Sequence, residues 1–168
     1  NNICEMGYAV SKIYARSIIE EFSIRFDENI HCLEDLLFMY QYLLHCDYLV
    51  LNHMQNYVYV KHSFSLSHRI HSFESEYCCF VKYQQLLAEM MKVWKIPAGD
   101  MVVTVNSMLV PFRRALKSDY QPDRTIPREM RVKHLKRMIS ESRDVFLKYY
   151  HPVFKTDKLG KVKNIFQI

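Results

Sequence analysis

The sequence predicts a helix-rich α/β fold, with short strands and helices in the first part of the chain and a bundle of helices in the second. β-branched and aromatic residues fill residues 48–53 and 56–61, which is typical of strands. Apolar residues recur with the 3.6-residue period of a helix from 33 to 44 and again after 72. Hydrophobic residues make up 49% of the 168 residues, with only 3 glycines, which favours a packed globule over a disordered chain.

The first part, residues 1–71, alternates short elements. We expect strands at 6–14 and 24–26, a short amphipathic helix at 17–22, and a longer helix from about 33 to 45. The strands at 48–53 and 56–61 follow that helix. Residues 62–71 are polar and rich in histidine, and they indicate a loop.

The second part, residues 72–152, predicts a helical bundle in which apolar stripes pack against each other. Its helices are expected at 73–95, 100–117 and 128–150. Pro97 ends the first of them, Pro111 is a candidate kink in the second, and the serines at 140–142 are a candidate break in the third. Residues 153–168 form a lysine-rich tail, interpreted either as a surface-lying segment or as a frayed terminus.

Positive charge is concentrated near the end of the chain. The net charge is +5, and cations are frequent from residue 128 to the end, among them Arg128, Arg131, Lys133, Lys136, Arg137, Lys155, Lys158, Lys161 and Lys163. Such a stretch is a solvated face, or it binds anionic lipid or nucleic acid. We expect a solvated face first, peripheral membrane contact through the basic tail as the alternative, and no nucleic acid partner.

Cysteine and aromatic usage predict the compartment and the assembly. Five cysteines are an odd count, and adjacent Cys78 and Cys79 rarely pair with each other, which indicates reduced thiols in a cytoplasmic protein. The 12 tyrosines and 10 phenylalanines are many for this length, and some are expected on an exposed patch, which predicts a homo-oligomer.

Asp35 is the candidate catalytic residue because it lies on the first turn of the helix predicted at 33–45. The unpaired amides and positive dipole end of a helix favour an ionised carboxylate there. Burial by Leu36 and Phe38 would act in the opposite direction, and the sequence leaves open which effect is larger. The plainer interpretation is that Glu34 and Asp35 are ordinary first-turn acids.

Short motifs in a fixed order surround this acidic pair: GYAVSKIYAR at 7–16, IRFDE at 24–28, EDLLF at 34–38, YVYVK at 57–61 and SFSLS at 63–67. Over residues 6–68 the series resembles the second half of the catalytic domain of bacterial family 2 glycosyltransferases of the GT-A fold. The resemblance implies that Asp35 is the general base. It also implies Lys12, Glu34, Lys61 and His62 as substrate-binding residues, with His68 as a further candidate for contact with a metal or a diphosphate.

Two positions depart from the family pattern. Leu33 stands where a glycine often precedes the acidic pair, and Lys61 stands where an arginine often follows the tyrosine-rich strand. The Asp-X-Asp metal motif of the family is missing from the 168 residues. The expectation is therefore a fragment that lacks the nucleotide-binding half, is inactive alone, and leaves most ligands of a Mg²⁺ or Mn²⁺ cofactor outside this chain.

The predicted function is sugar transfer from a nucleotide-diphosphate donor to a saccharide hydroxyl, in cell-surface polysaccharide synthesis in the cytoplasm or at the inner membrane. The alternative is a non-enzymatic helical interaction module that docks through its basic C-terminal face.

Overall fold

Five helices occur in the residues that the computed structural model describes, which are 9–51, 57, 58, 60, 69–97 and 108–149. They are α1 (Arg16–Glu21), α2 (Glu34–Leu43), α3 (Phe73–Val93), α4 (Leu109–Ser118) and α5 (Arg128–Tyr149). Helix α3 is the centre of the fold, because α2, α4 and α5 all pack against it. None of the described helices combines the length and the apolar composition that crossing a bilayer requires.

The core follows from the apolar stripe of α3. Its buried members recur every three or four residues, as one face of a helix requires: Phe73, Tyr77, Phe80, Tyr83, Leu87 and Met90. Helix α2 adds Met39 and Tyr40, and the hydroxyls of Tyr40 and Tyr83 lie 3.2 Å apart. Each buried hydroxyl thus has a hydrogen-bond partner, which removes the cost of leaving it unsatisfied.

Two helices end in the same left-handed motif without glycine. Ser23 follows α1 with φ 50°, and the next amide, of Ile24, donates to the carbonyl of Ile19 at 2.9 Å. Lys95 follows α3 with φ 51°, and the amide of Ile96 donates to the carbonyl of Met91 at 3.1 Å. These bonds satisfy carbonyls that a helix end leaves open.

A buried ion pair joins α3 to α4 and fixes the segment before α3. Arg114 donates from Nε and Nη2 to the two carboxylate oxygens of Glu76, at 2.8 and 2.7 Å. The same guanidinium donates to the carbonyl of Arg69, and the amide of His71 donates to Glu76 at 2.8 Å. Arg124 adds bonds to the carbonyls of Ile70 and His71. Residues 69–71 are therefore held by the side chains of Glu76, Arg114 and Arg124.

The helices expected near 17–22, 33–45, 73–95 and 128–150 are confirmed. Helix α4 begins at Leu109, which places Pro111 in its first turn, where a missing amide costs nothing, so Pro111 does not kink a longer helix. Helix α5 runs without a break through residues 140–142, where the hydroxyls of Ser140 and Ser142 donate to carbonyls of the preceding turn. Residues 98–107, where the second bundle helix was expected to start, lie outside the described part.

The predicted α/β fold is wrong for the described residues, because none of them forms a strand. Residues 9–14 bend instead of extending, with Ser11 at φ 59°, and the hydroxyl of Tyr14 donates back to the carbonyl of Ala9. The amide of Ile24 donates to a carbonyl at the end of α1 and does not pair with a strand. Residues 48–51, 57, 58 and 60 keep their strand-like composition but lack a paired neighbour among the described residues, and an extended segment becomes a strand only through such pairing.

The predicted domain boundaries, between residues 71 and 72 and between residues 152 and 153, stay predictions. The tail at 153–168 lies outside the described residues.

Candidate functional site

The candidate site begins at the N-terminus of α2, where the backbone takes an uncommon conformation. Leu33 is the N-cap residue and has φ 65° and ψ 14°, the left-handed region that glycine adopts most readily. Its side chain packs against the core. Leu33 thus occupies a position whose backbone favours glycine. Glu34 and Asp35 follow immediately and form the first turn.

Asp35 is half-buried, and its carboxylate is held at the helix end. Its Oδ1 accepts a hydrogen bond of 2.8 Å from the amide of Leu36. Burial raises the pKa of Asp35 above its usual value, and the nearby negative charge of Glu34 acts in the same direction. The amides of Leu36, Ala9 and Asp35 itself lower the pKa but do not cancel the effect of burial. Of the two opposing effects weighed from the sequence, desolvation is therefore the larger.

Lys12 is brought next to Asp35 by the bend at residues 9–14. Burial lowers the pKa of Lys12, and the charge of Asp35 partly offsets this effect. The ammonium also lies 3.5 Å from the carbonyl of Val10. A half-buried carboxylate and a half-buried amine therefore share one electrostatic environment.

Two tyrosines missed by the sequence interpretation hold this bend against α2. The ring of Tyr14 packs edge-on against Phe38 and Tyr42, with centroid distances of 5.4 and 4.9 Å. The hydroxyl of Tyr42 accepts a hydrogen bond of 2.8 Å from the amide of Ala15. Burial raises the pKa of Tyr14, and the charge of Asp35 raises it further. The i, i+4 spacing of Phe38 and Tyr42 was the available signal, because it marks a second packed face of α2.

The other predicted site residues have separate outcomes. Glu34 is half-buried beside Asp35, where its charge acts on the carboxylate of Asp35. Lys61, His62 and His68 lie outside the described residues, so their predicted contacts stay predictions.

The described residues do not bring together three or more His, Cys, Asp or Glu side chains in a metal-binding arrangement. The expected Mg²⁺ or Mn²⁺, with most of its ligands outside this chain, stays a prediction.

A surface cavity of about 320 Å³ lies away from Asp35. It opens between the end of α1, the second half of α2 and the middle of α3, and its lining includes Phe22, Gln41, His45, Lys82 and Glu89. Gln41 is six residues after Asp35, which corresponds to about 9 Å along the helix and to a different face. The cavity is therefore separate from the candidate catalytic carboxylate.

Comparison with known proteins gives no family: no family model matches the chain, and neither the curated proteins nor the solved structures contain a significant match.

Proposed function

We propose that this chain supplies the acceptor-activating base of a glycosyltransferase, and that Asp35 is that base. The observation that supports the proposal is a half-buried first-turn carboxylate whose pKa is raised by burial and which lies beside Lys12. A raised pKa makes a carboxylate a stronger base, which suits proton removal from a hydroxyl near neutral pH. The ordered motifs around Glu34 and Asp35 resemble those of glycosyltransferases, and this resemblance is the reason for proposing sugar transfer.

The proposed step is a single displacement. The acceptor hydroxyl oxygen attacks the anomeric carbon of the donor, its proton passes to Asp35, and the bond from the anomeric carbon to the phosphate oxygen breaks. The bonding electrons leave with the nucleoside diphosphate, and the configuration at the anomeric carbon inverts. Lys12 lies close enough to Asp35 to stabilise its ionised form before the proton moves. Glu34, Lys61 and His62 are proposed to contact substrate.

The test compares Asp35→Asn with wild type in the natural enzyme that carries this chain. The substrates are UDP-glucose, UDP-galactose, UDP-N-acetylglucosamine and GDP-mannose, each with Mg²⁺ or Mn²⁺ and a mixture of short oligosaccharides. Released nucleoside diphosphate and new glycoside are both measured. We expect kcat to fall by about 10²–10⁴-fold, the usual contribution of a general base, while donor binding is retained.

Asp47→Asn is the matched control, because it makes the same chemical change at an exposed carboxylate that follows α2. It is expected to reduce kcat far less than Asp35→Asn. Since the pKa of Asp35 is raised, the acid limb of the pH profile of kcat/KM should lie above the ordinary aspartate range in wild type. An Asp35→Asn enzyme with turnover within threefold of wild type would rule out Asp35 as the base.

The second candidate function is the interaction module that docks through a basic face. The observation that favours it is the sparse packing of α5, most of whose described side chains are exposed. A wild-type protein that releases no nucleoside diphosphate from any of the four donors would favour this candidate.

A further inference from the structure

Helix α5 is attached to the fold along one narrow side. Among its side chains that the structure describes, residues 128–144, only Met138 and Ser142 are buried. Asp119 bonds to His134 at 2.8 Å on the same side, and the ring of His134 stacks on Phe73 at 3.7 Å. Most of the other side chains described on this helix are exposed.

An exposed apolar stripe runs along α5 next to its attached side. Val132, Leu135 and Ile139 are 41%, 39% and 55% exposed, and their spacing of three and four residues aligns them on one face of the helix. Isolated apolar residues on a surface need no explanation, but an aligned set on an unattached helix face indicates a contact surface.

Cations border this stripe. At 100° per residue, Arg128 and Arg143 lie at its two ends, and Lys136 and Lys133 lie along one side; all four are exposed. The nearby acids, Glu129 and Asp144, leave a positive balance on this side.

Two other cations among the described side chains of α5 contact the fold. The guanidinium of Arg137 bonds to Glu74 and Glu141 and lies 4.6 Å from the ring centre of Tyr77. The guanidinium of Arg131 lies 5.1 Å from the ring centre of Tyr120. We name the seven exposed residues of the stripe and its border the outer face of α5: Arg128, Val132, Lys133, Leu135, Lys136, Ile139 and Arg143.

We propose that the outer face of α5 docks on the surface of an anionic lipid membrane. The aliphatic stripe enters the boundary between headgroups and acyl chains, and the bordering cations contact the lipid phosphates, which is how a basic amphipathic helix lies in an interface. The stripe favours lipid over nucleic acid, because a phosphodiester backbone offers nothing apolar to cover three aliphatic side chains. This inference names a partner for the second candidate function and does not depend on Asp35.

The test is co-sedimentation of the whole protein with vesicles of phosphatidylcholine, alone or with 30% phosphatidylglycerol, at 25 and 500 mM NaCl. We expect binding to the anionic vesicles at least tenfold stronger than to the neutral ones, and weaker binding at high salt. The triple variant V132Q/L135Q/I139Q should reduce binding about tenfold. The triple variant K133Q/K136Q/R143Q should reduce it by about fivefold for each charge removed at low salt.

The matched control is K92Q/K95Q/K117Q, which removes three exposed positive charges outside α5 and should bind like wild type. Asp35→Asn should also bind like wild type, so that failure of the membrane proposal and failure of the catalytic proposal are distinguishable. Circular dichroism establishes that each variant is folded. Equal binding to neutral and anionic vesicles, outer-face variants that bind like wild type, or binding of a 20-nucleotide single-stranded RNA in place of vesicles would each overturn the proposal.

Discussion

Two carboxylates, Glu76 and Asp35, lie in contrasting parts of this molecule. Glu76 is 2% exposed and receives two bonds from Arg114 and one from the amide of His71, so its charge is balanced and its oxygens are occupied. Asp35 is half-buried, receives the amide of Leu36, and has its pKa raised by burial. The comparison separates a carboxylate that holds the fold together from one whose ionised form is disfavoured by burial. A raised pKa of this kind, as in Asp35, suits a group that takes up a proton.

The largest stability effect is expected where the balanced pair is broken. Arg114→Ala leaves the carboxylate of Glu76 buried without its cation and removes the side-chain bond to the carbonyl of Arg69, and the expected loss is about 3–5 kcal/mol in the free energy of unfolding. Urea denaturation measures this loss.

The double variant Glu76→Gln with Arg114→Met removes both charges and is expected to lose clearly less than Arg114→Ala alone, because no uncompensated ion is left buried. If the two proteins were equally unstable, the pair would stabilise the fold through shape and not through charge.

A smaller effect is expected on the Asp35 side of the comparison. Tyr42→Phe removes the oxygen that accepts the amide of Ala15 while keeping the ring against Tyr14, and the expected loss is about 1 kcal/mol. Tyr48→Phe is the control, because Tyr48 is 82% exposed and its replacement should leave unfolding unchanged. Hydrogen exchange at Ala15 that stays as slow in Tyr42→Phe as in wild type would contradict the assignment of this bond.

The smallest effect is expected for Asp35→Asn on stability. Because the pKa of Asp35 is higher in the folded than in the unfolded protein, the unfolded state loses its proton first as pH rises, and wild type loses stability between the usual aspartate pKa and the raised one. Asp35→Asn removes this loss. Its Tm should therefore match wild type at low pH and exceed it slightly at neutral pH, as thermal unfolding across that range measures. A lower Tm at neutral pH would show that Asp35 is stabilising when ionised.

The sequence alone was sufficient to predict helices whose start, apolar face and end are all determined by local residues. Helix α3 has its periodic apolar residues, a cap at Ser72 whose Oγ accepts the amide of Ser75, and a stop before Pro97, all of which are local. The apolar residues at 48–51 carry the same kind of local signal for a strand. A strand, however, needs a neighbour that local sequence does not specify, and none is found among the described residues.

The same distinction between local and long-range signals applies to the candidate site. Placing Asp35 on a first helical turn needed only the apolar period and the acidic pair that starts it. The direction of its pKa shift depends on burial, which the local sequence does not specify, and the nearby contact of Tyr14 with Tyr42 joins residues 28 apart in sequence. The proximity of Lys12 to Asp35 was not predicted from any pattern in the residues, because it depends on how residues 9–14 fold back against α2.

The left-handed backbone of Leu33 has a mechanical consequence for Asp35. A leucine in this conformation carries roughly 1–2 kcal/mol of strain, and the packing of its side chain against the core opposes relaxation. The orientation of a carboxylate two residues later is thereby coupled to the integrity of the hydrophobic interior. Core mutations distant from Asp35 that weaken the packing of the Leu33 side chain would let this turn unwind. The carboxylate of Asp35 would then change its orientation before the protein as a whole unfolds.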